Sequence, residues 1–416
     1  MAAKPQQNGV SPCELMIYGA SDVLSWSPEN PLEAADAVAV QGGRIAEVGR
    51  ARDLKRRWAP AQERDAEGGL VCPGFVDGHT HPAFAVGRAS EYDLKCQGRT
   101  YQEIAATGGG ILSSVRSVRA ASEAELTAAV ARNFRRMLRH GTTTCEAKSG
   151  YGLSVADERK SLRAIRAAAA QTGMTALPTF LGAHAVPEEF HGRAEKYLDL
   201  LCREALPAIK EEQLARAADV YIEDGAFSVA QARRYLECAR DLGFALRIHA
   251  DQFSALGGVQ LAAELGAESV DHLEVLSDAG LEALALSRKT WAGLLPVVPH
   301  FLGQKTDAPA RKLIKSGVPW FVATDFNPGS AYTPSLPEAA HFARRRLGLT
   351  AAEALFGVTA AAADSLGLRG RKGRLTPGAD ADLLILDLPD VAHFGYALGE
   401  NPVRAVMQGG RWVESV

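Results

Sequence analysis

Apolar positions along this chain fall into two kinds of pattern. Near both ends they form short runs broken by paired glycines. Ala37–Val40 and Arg44–Val48 flank Gln41-Gly42-Gly43, and Val403–Met407 meets Arg411–Val413 across Gln408-Gly409-Gly410. Glycines between two such runs signal hairpins, because a tight reversal needs backbone conformations that glycine reaches without strain. Ala381–Leu386 reads as a further strand. Neither end carries a long helical period. The two ends therefore read as one small β-sandwich, built from residues 1–73 and 374–416 and interrupted by a large insertion.

The insertion, residues 74–373, alternates strands with helices. Its first strand carries the apolar residues from Val71 onward and ends at His79 and His81. Seven more follow: Thr142–Glu146, Ala176–His184, Asp219–Glu223, Phe244–His249, Ser269–Leu273, Thr290–Leu295 and Pro319–Asp325. Ser122 with Glu125, Ser228 with Gln231 and Thr350 with Glu353 have capping-box spacing, and Gly141, Gly173 and Gly243 follow helical runs. Parallel neighbours need crossover connections, so eight strands with intervening helices predict an α/β fold, a (β/α)8 barrel of the TIM type. Two stretches fall outside the alternation. Glu91–Ser117, with Thr107-Gly108-Gly109-Gly110-Ile111, lacks a Walker lysine or a dinucleotide fingerprint and reads as a flexible active-site loop. Phe326–Pro337 reads as an ordered loop over the pocket.

Charge adds little: 46 Lys+Arg against 49 Asp+Glu in 416 residues gives no basic surface for nucleic acid or anionic membrane. Small polar molecules are the expected ligands. Six scattered cysteines without a Cys-x-x-Cys pair read as reduced thiols of a cytoplasmic protein. Residues 1–10 lack the apolar run of a secretory signal, and no later stretch is long and apolar enough to span a bilayer.

The histidines change the picture. Side chains two apart on a strand share a face, so His79 and His81 can close on one cation. Two histidines are half a site. His184 falls at the end of strand three, His249 at the end of strand five, His272 on strand six and Asp325 at the end of strand eight. Strand C-terminal ends converge on one pocket in such a barrel, and three histidines with one aspartate suit a divalent metal with an open position for water. His140, His191, His300, His341 and His393 read as surface or structural residues.

At this point the sequence resembles the amidohydrolase superfamily, and within it the branch that opens the imidazolone ring in histidine degradation. The resemblance rests on Asp77-Gly78-His79-Thr80-His81 with Arg88, Thr107–Ile111, Lys148-Ser149-Gly150-Tyr151-Gly152, Phe180–His184, His249–Phe253, Asp271–Glu274 and Ala323–Ser330. It implies that His79, His81, His249 and Asp325 hold one metal ion, zinc or alternatively iron. It also implies that Arg88, Tyr151, His184, Gln252, Asn327, Gly329 and Ser330 contact the substrate, 4-imidazolone-5-propanoate. A carboxylate tail suits the guanidinium fork of Arg88, with Tyr151 as a second donor. Asp325 would take the proton of the attacking water, and His272 or His184 would stabilise the oxyanion. Deaminating relatives carry a glutamate where this chain has Gln252, and an amide does no acid-base work near neutral pH. A homodimer is the expected assembly. The competing expectations are a hydrolase of another cyclic amide or base, and a metal-free structural relative.

Overall fold

The computed structural model describes residues 10–26, 35–100, 103–104 and 107–413; residues 1–9, which carry most of the expectation about a secretory signal, lie outside them. From the N-terminal end come β1 (Ser11–Tyr18), β2 (Asp22–Val23), β3 (Ala37–Gln41), β4 (Arg44–Gly49), β5 (Trp58–Asp65) and β6 (Leu70–Pro73). The middle supplies β7 (Phe75–Asp77), β8 (Thr142–Lys148), β9 (Thr175–Ala183), β10 (Ala217–Tyr221), β11 (Ala245–Ala250), β12 (Ser269–His272), β13 (Trp291–Leu294) and β14 (Trp320–Val322). The C-terminal end adds β15 (Leu383–Leu386), β16 (Val403–Gln408) and β17 (Arg411–Trp412).

The chain ends form two sheets, ordered β4-β3-β1-β5 and β17-β16-β15-β6-β2. Both expected hairpins are present, with Gln41 opposite Arg44 and Gln408 opposite Arg411. Alternate side chains of the two sheets meet in a shared core that includes Ile17, Val38, Val40, Val71, Leu383, Ile385 and Met407, the packing expected where each sheet must bury one face. All six cysteines are free thiols. No helix among the described residues is long and apolar enough to cross a membrane.

Strands β7 to β14 follow one another in chain order as an eight-stranded parallel sheet. The ring closes just beyond the ends of the first and last strands. Thr80 bridges Phe326 in parallel register, the His81 N–H donates to the Phe326 carbonyl at 2.9 Å and the Asp325 N–H to the His79 carbonyl at 3.1 Å. All three expected capping boxes form, at Ser122, Ser228 and Thr350.

Three expectations need correction. The apolar run ahead of His79 is two strands in two sheets. Leu383 pairs with Pro73 in the sandwich, the Gly74 N–H donates to the Asp382 carbonyl, and Phe75 pairs with Thr142 in the barrel. A Cβ on Gly74 would lie 2.3 Å from Thr143 Oγ1, so the crossing point requires a residue without a side chain. Second, His79, His81 and Asp325 lie beyond the strands, which stop at Asp77 and Val322; Asp325 has φ 53°, a left-handed turn over the rim that ends regular pairing. Lys148, by contrast, belongs to β8 rather than following it. Third, the stretch read as a flexible loop holds two helices, Ala89–Cys96 and Ile111–Ala120. Ile111, Val115 and Val118 have helical spacing, which the preceding glycines obscure. Phe326–Ser335 is the expected loop, ahead of a helix that begins at Leu336.

Candidate active site

The seam of the barrel sets the first ligand group. Thr80 is zipped to β8 by its hydroxyl, which donates to the Glu146 carbonyl at 2.6 Å, and by its carbonyl, which accepts the Lys148 N–H at 3.0 Å. With the hydrogen bonds to Phe326 and Asp325 on the other side, the backbone of His79-Thr80-His81 has no freedom to turn. Asp77 tightens the same seam by accepting the Thr324 hydroxyl at 2.6 Å and its N–H at 3.1 Å.

Three histidine donor atoms meet there, with Asp325 beside two of them. The Nε2 atoms of His79 and His81 are 3.2 Å apart, and that of His249 lies 3.3 Å from His81. Asp325 Oδ1 sits 3.4 Å from His79 Nε2 and 3.3 Å from His81 Nε2. All four residues are buried. Two of the rings are oriented from behind: Asp271 Oδ2 accepts from His79 Nδ1 at 2.7 Å and Asp219 Oδ1 from His249 Nδ1 at 3.0 Å. With the proton on Nδ1, each Nε2 presents a lone pair to the cluster. Converging lone pairs beside a carboxylate repel unless a cation lies among them, so this donor set fits a metal ion.

Electrostatics agree. Burial and Lys148 oppose a charge on His79, yet Asp271 and Asp325 hold its pKa up to about 9. Burial pushes His249 well below the ordinary histidine range and lowers His81 as well. Burial works against charge on Asp325 and Asp219 too, but the neighbouring histidines, and Lys148 in the case of Asp219, keep both well below the usual carboxylate range.

Around the cluster lies a chamber lined by His81, Arg88, Ile111, Tyr151, His184, Tyr221, His249, Gln252, His272, Asp325, Asn327 and Ser330. Sequence-predicted residues Arg88, Tyr151, His184, Gln252, Asn327, Ser330 and His272 are thus brought together with the metal-type cluster. Gly329 is placed differently. It packs on the Arg88 guanidinium so closely that a Cβ there would stand 1.3 Å from Nη2. Among the described residues, Arg88 Nε and Nη1 have no hydrogen-bond acceptor although both are buried, and Nη1 lies 3.7 Å from Glu91. A guanidinium buried with donors to spare suits an incoming carboxylate.

The polar rings have fixed roles. The His184 Nδ1 proton goes to the Gly150 carbonyl at 2.9 Å, and burial, with His81 nearby, lowers its pKa to about 3. With Nδ1 committed to that carbonyl, the neutral ring has Nε2 left as an acceptor. Gln252 Oε1 accepts from the Tyr221 hydroxyl at 2.8 Å, leaving the amide N–H groups to donate. His272 has Glu274 Oε1 at 3.4 Å from Nδ1, a partner that orients the ring. His272, Leu273, Asp251 and Asp325 all have positive φ; such backbone strain concentrates where surrounding packing holds side chains to a task.

Sequence reasoning missed Ile111 and Tyr221 as lining residues and Asp219, Asp271 and Lys148 as supports. The signal for two of them was present: Asp219 and Tyr221 alternate on one strand and share its inward face. Lys148 is wholly buried, ion-paired to Asp219 at 2.7 Å and Glu146 at 2.8 Å. Glu223, at the end of the expected fourth strand, instead caps backbone N–H groups of Phe253 and Ser254 at 2.9 and 3.1 Å.

The ring of eight strands with this site at its C-terminal mouth matches the amidohydrolase family over residues 70–413, and the chain belongs to that family of metal-dependent hydrolases acting on C–N bonds. Residues 37–61 match an imidazolonepropionase-like composite domain of bacteria. The chain is 48% identical to an imidazolonepropionase of Rubrobacter xylanophilus, covering 95% of this chain and 97% of that one, and 45% identical to one of Myxococcus xanthus, covering 96% of each. Within the amidohydrolases it therefore belongs with the imidazolonepropionases. In structure it is similar to an adenosine deaminase from Xanthomonas campestris solved with bound zinc, with a TM-score of 0.71 at 20% identity over 97% of this chain and 93% of that one, a likeness of fold.

Proposed function

We propose that this protein hydrolyses 4-imidazolone-5-propanoate to N-formimidoyl-L-glutamate in histidine degradation. The observation that carries the reading is a single chamber lined both by a metal-type cluster and by an under-bonded, buried Arg88. A ring amide with a carboxylate arm offers one group to each. His79, His81, His249 and Asp325 would hold the ion, zinc in our reading with iron as the alternative, since His and Asp ligands suit both. Bound there, such an ion supplies Lewis acidity that polarises the ring carbonyl and acidifies an attacking water.

The chain's own residues do the rest. Arg88 pairs with the propanoate, supported by Tyr151, with Asn327 and Ser330 along the same wall. Gln252 donates to the ring through its amide, and His184 accepts a ring N–H through Nε2. Asp325, kept ionised by its histidine neighbours, takes a proton from the water as its oxygen bonds to the ring carbonyl carbon. His272 donates to the oxygen on which charge develops. The C–N bond then breaks, its electron pair staying on nitrogen, and Asp325 returns the proton to that nitrogen. Gln252 cannot shuttle protons as an acid would, which disfavours a base deaminase.

The test follows loss of the ring's ultraviolet absorbance with purified, metal-analysed protein and identifies the product by mass spectrometry. Ring opening by wild type and loss of about 10²–10⁴ in rate in Asp325→Asn with metal retained is the expected result. Full turnover by that variant would remove Asp325 as the base, and no ring opening by metal-bound wild type would sink the substrate. We also read the protein as a cytoplasmic homodimer, which light scattering on the eluting peak and cell fractionation would check.

A further inference from the structure

The inner chamber and a larger cavity share part of their lining. The chamber is the smaller of the two, with a volume of about 30 Å³. Beside it lies a cavity of about 1010 Å³. Ile111, His184 and Tyr221 line both. Two of these are fixed by the hydrogen bonds to Gly150 and Gln252. Ile111 has an apolar side chain and begins the helix Ile111–Ala120, whose N-cap Gly110 has φ 68° and no side-chain cap. The Glu91 carboxylate ties the backbone there, accepting the Gly110 N–H with each oxygen at 3.2 Å, beside the Ser113 N–H that donates to the Gly110 carbonyl at 3.2 Å. The same carboxylate faces Arg88 Nη1 at 3.7 Å.

A ligand that reaches the chamber from the larger cavity passes Ile111, His184 and Tyr221, of which Ile111 is the aliphatic one. We propose that Ile111 is the size-determining residue of the site, the partition through which ligand passes from the outer cavity and the limit on the ring substituents that the chamber accepts. Glu91 latches it. A carboxylate arriving at Arg88 competes with Glu91 for the guanidinium, so ligand binding and release of the latch are linked. This inference rests on the chamber being the substrate site.

The test reads binding and does not require turnover. Metal-loaded wild type, Ile111→Ala, Ile111→Trp and Glu91→Gln are titrated calorimetrically with imidazole-4-propanoate and with its 2-methyl, 2-phenyl and N-benzyl derivatives. Wild type is expected to bind the parent at least about 100-fold more tightly than the phenyl and benzyl compounds, within the range that a shaped pocket achieves. Ile111→Ala should bring at least one bulky ligand within about tenfold of the parent, Ile111→Trp should weaken the parent about tenfold or more, and Glu91→Gln should give a gain between wild type and Ile111→Ala. Equal discrimination by wild type and Ile111→Ala, both with native circular dichroism, would overturn the inference alone. If Ile111→Ala does not fold, Ile111→Val takes its place, and an unchanged preference in that variant would also overturn it. No binding of any ligand by wild type, together with no ring opening, would remove the substrate reading and this inference with it.

Discussion

Gly329→Ala is the sharpest probe of the carboxylate end of the chamber. Gly329 lacks positive φ, so alanine meets no backbone penalty there and acts only through its methyl group. That methyl would lie 1.3 Å from Arg88 Nη2 and 2.1 Å from Cζ. Ordinary contact is about 3.5 Å, so the guanidinium must retreat by about 2 Å, beyond the tolerance of a charge-assisted hydrogen bond. Hydrogen bonds to charged groups contribute about 1.5–3 kcal/mol each, so losing one lowers kcat/KM by about 10- to 150-fold. The loss should appear chiefly in KM, because the arm is far from the reacting bond. Steady-state kinetics on the propanoate substrate and on its amide, which lacks the charge, separate the effect: the amide should lose much less. Unchanged kcat/KM for the acid, with metal content and melting temperature preserved, would refute the carboxylate role of Arg88.

Three more expectations concern the metal end. Asp219→Asn replaces the carboxylate that orients His249 and should weaken metal affinity about 10- to 100-fold, measured by competition with a chromophoric chelator. Lys148→Met leaves Glu146 and Asp219 buried without their cation, and should destabilise the fold by about 3–5 kcal/mol in urea unfolding. The pH dependence follows from His79, whose folded pKa of about 9 stands above its ordinary 6.5. In metal-free protein its contribution to stability is complete below pH 6.5 and is lost as pH rises through 9. A metal must displace that proton, so apparent metal affinity should rise about tenfold per pH unit from about 7 to 9 and then level off; a flat profile across that window would show that the ring does not hold the proton.

Much of this was legible in local pattern. The two glycine hairpins, the three capping boxes, the eight apolar strands and the His-x-His pair each depend on residues a few positions apart, where backbone hydrogen bonding and side-chain period act directly. The strand ends were less so: Asp325 and the histidine pair lie past regular pairing because the chain turns over the rim, and the helix at Ile111 hid behind its glycines. Only closure of the barrel decided the rest. It set Asp271 behind His79 from 192 residues away, joined Lys148 on β8 to Asp219 on β10, and brought Gly329 onto Arg88. It also chose which nitrogen of His184 keeps its proton, by giving Nδ1 a carbonyl 34 residues distant. The sequence by itself determined which residues could ligate, clamp and cap, because those are properties of side chains and their local spacing. The tertiary structure determined tautomer, charge and access, because these follow from what burial removes from water and what distant strands place alongside.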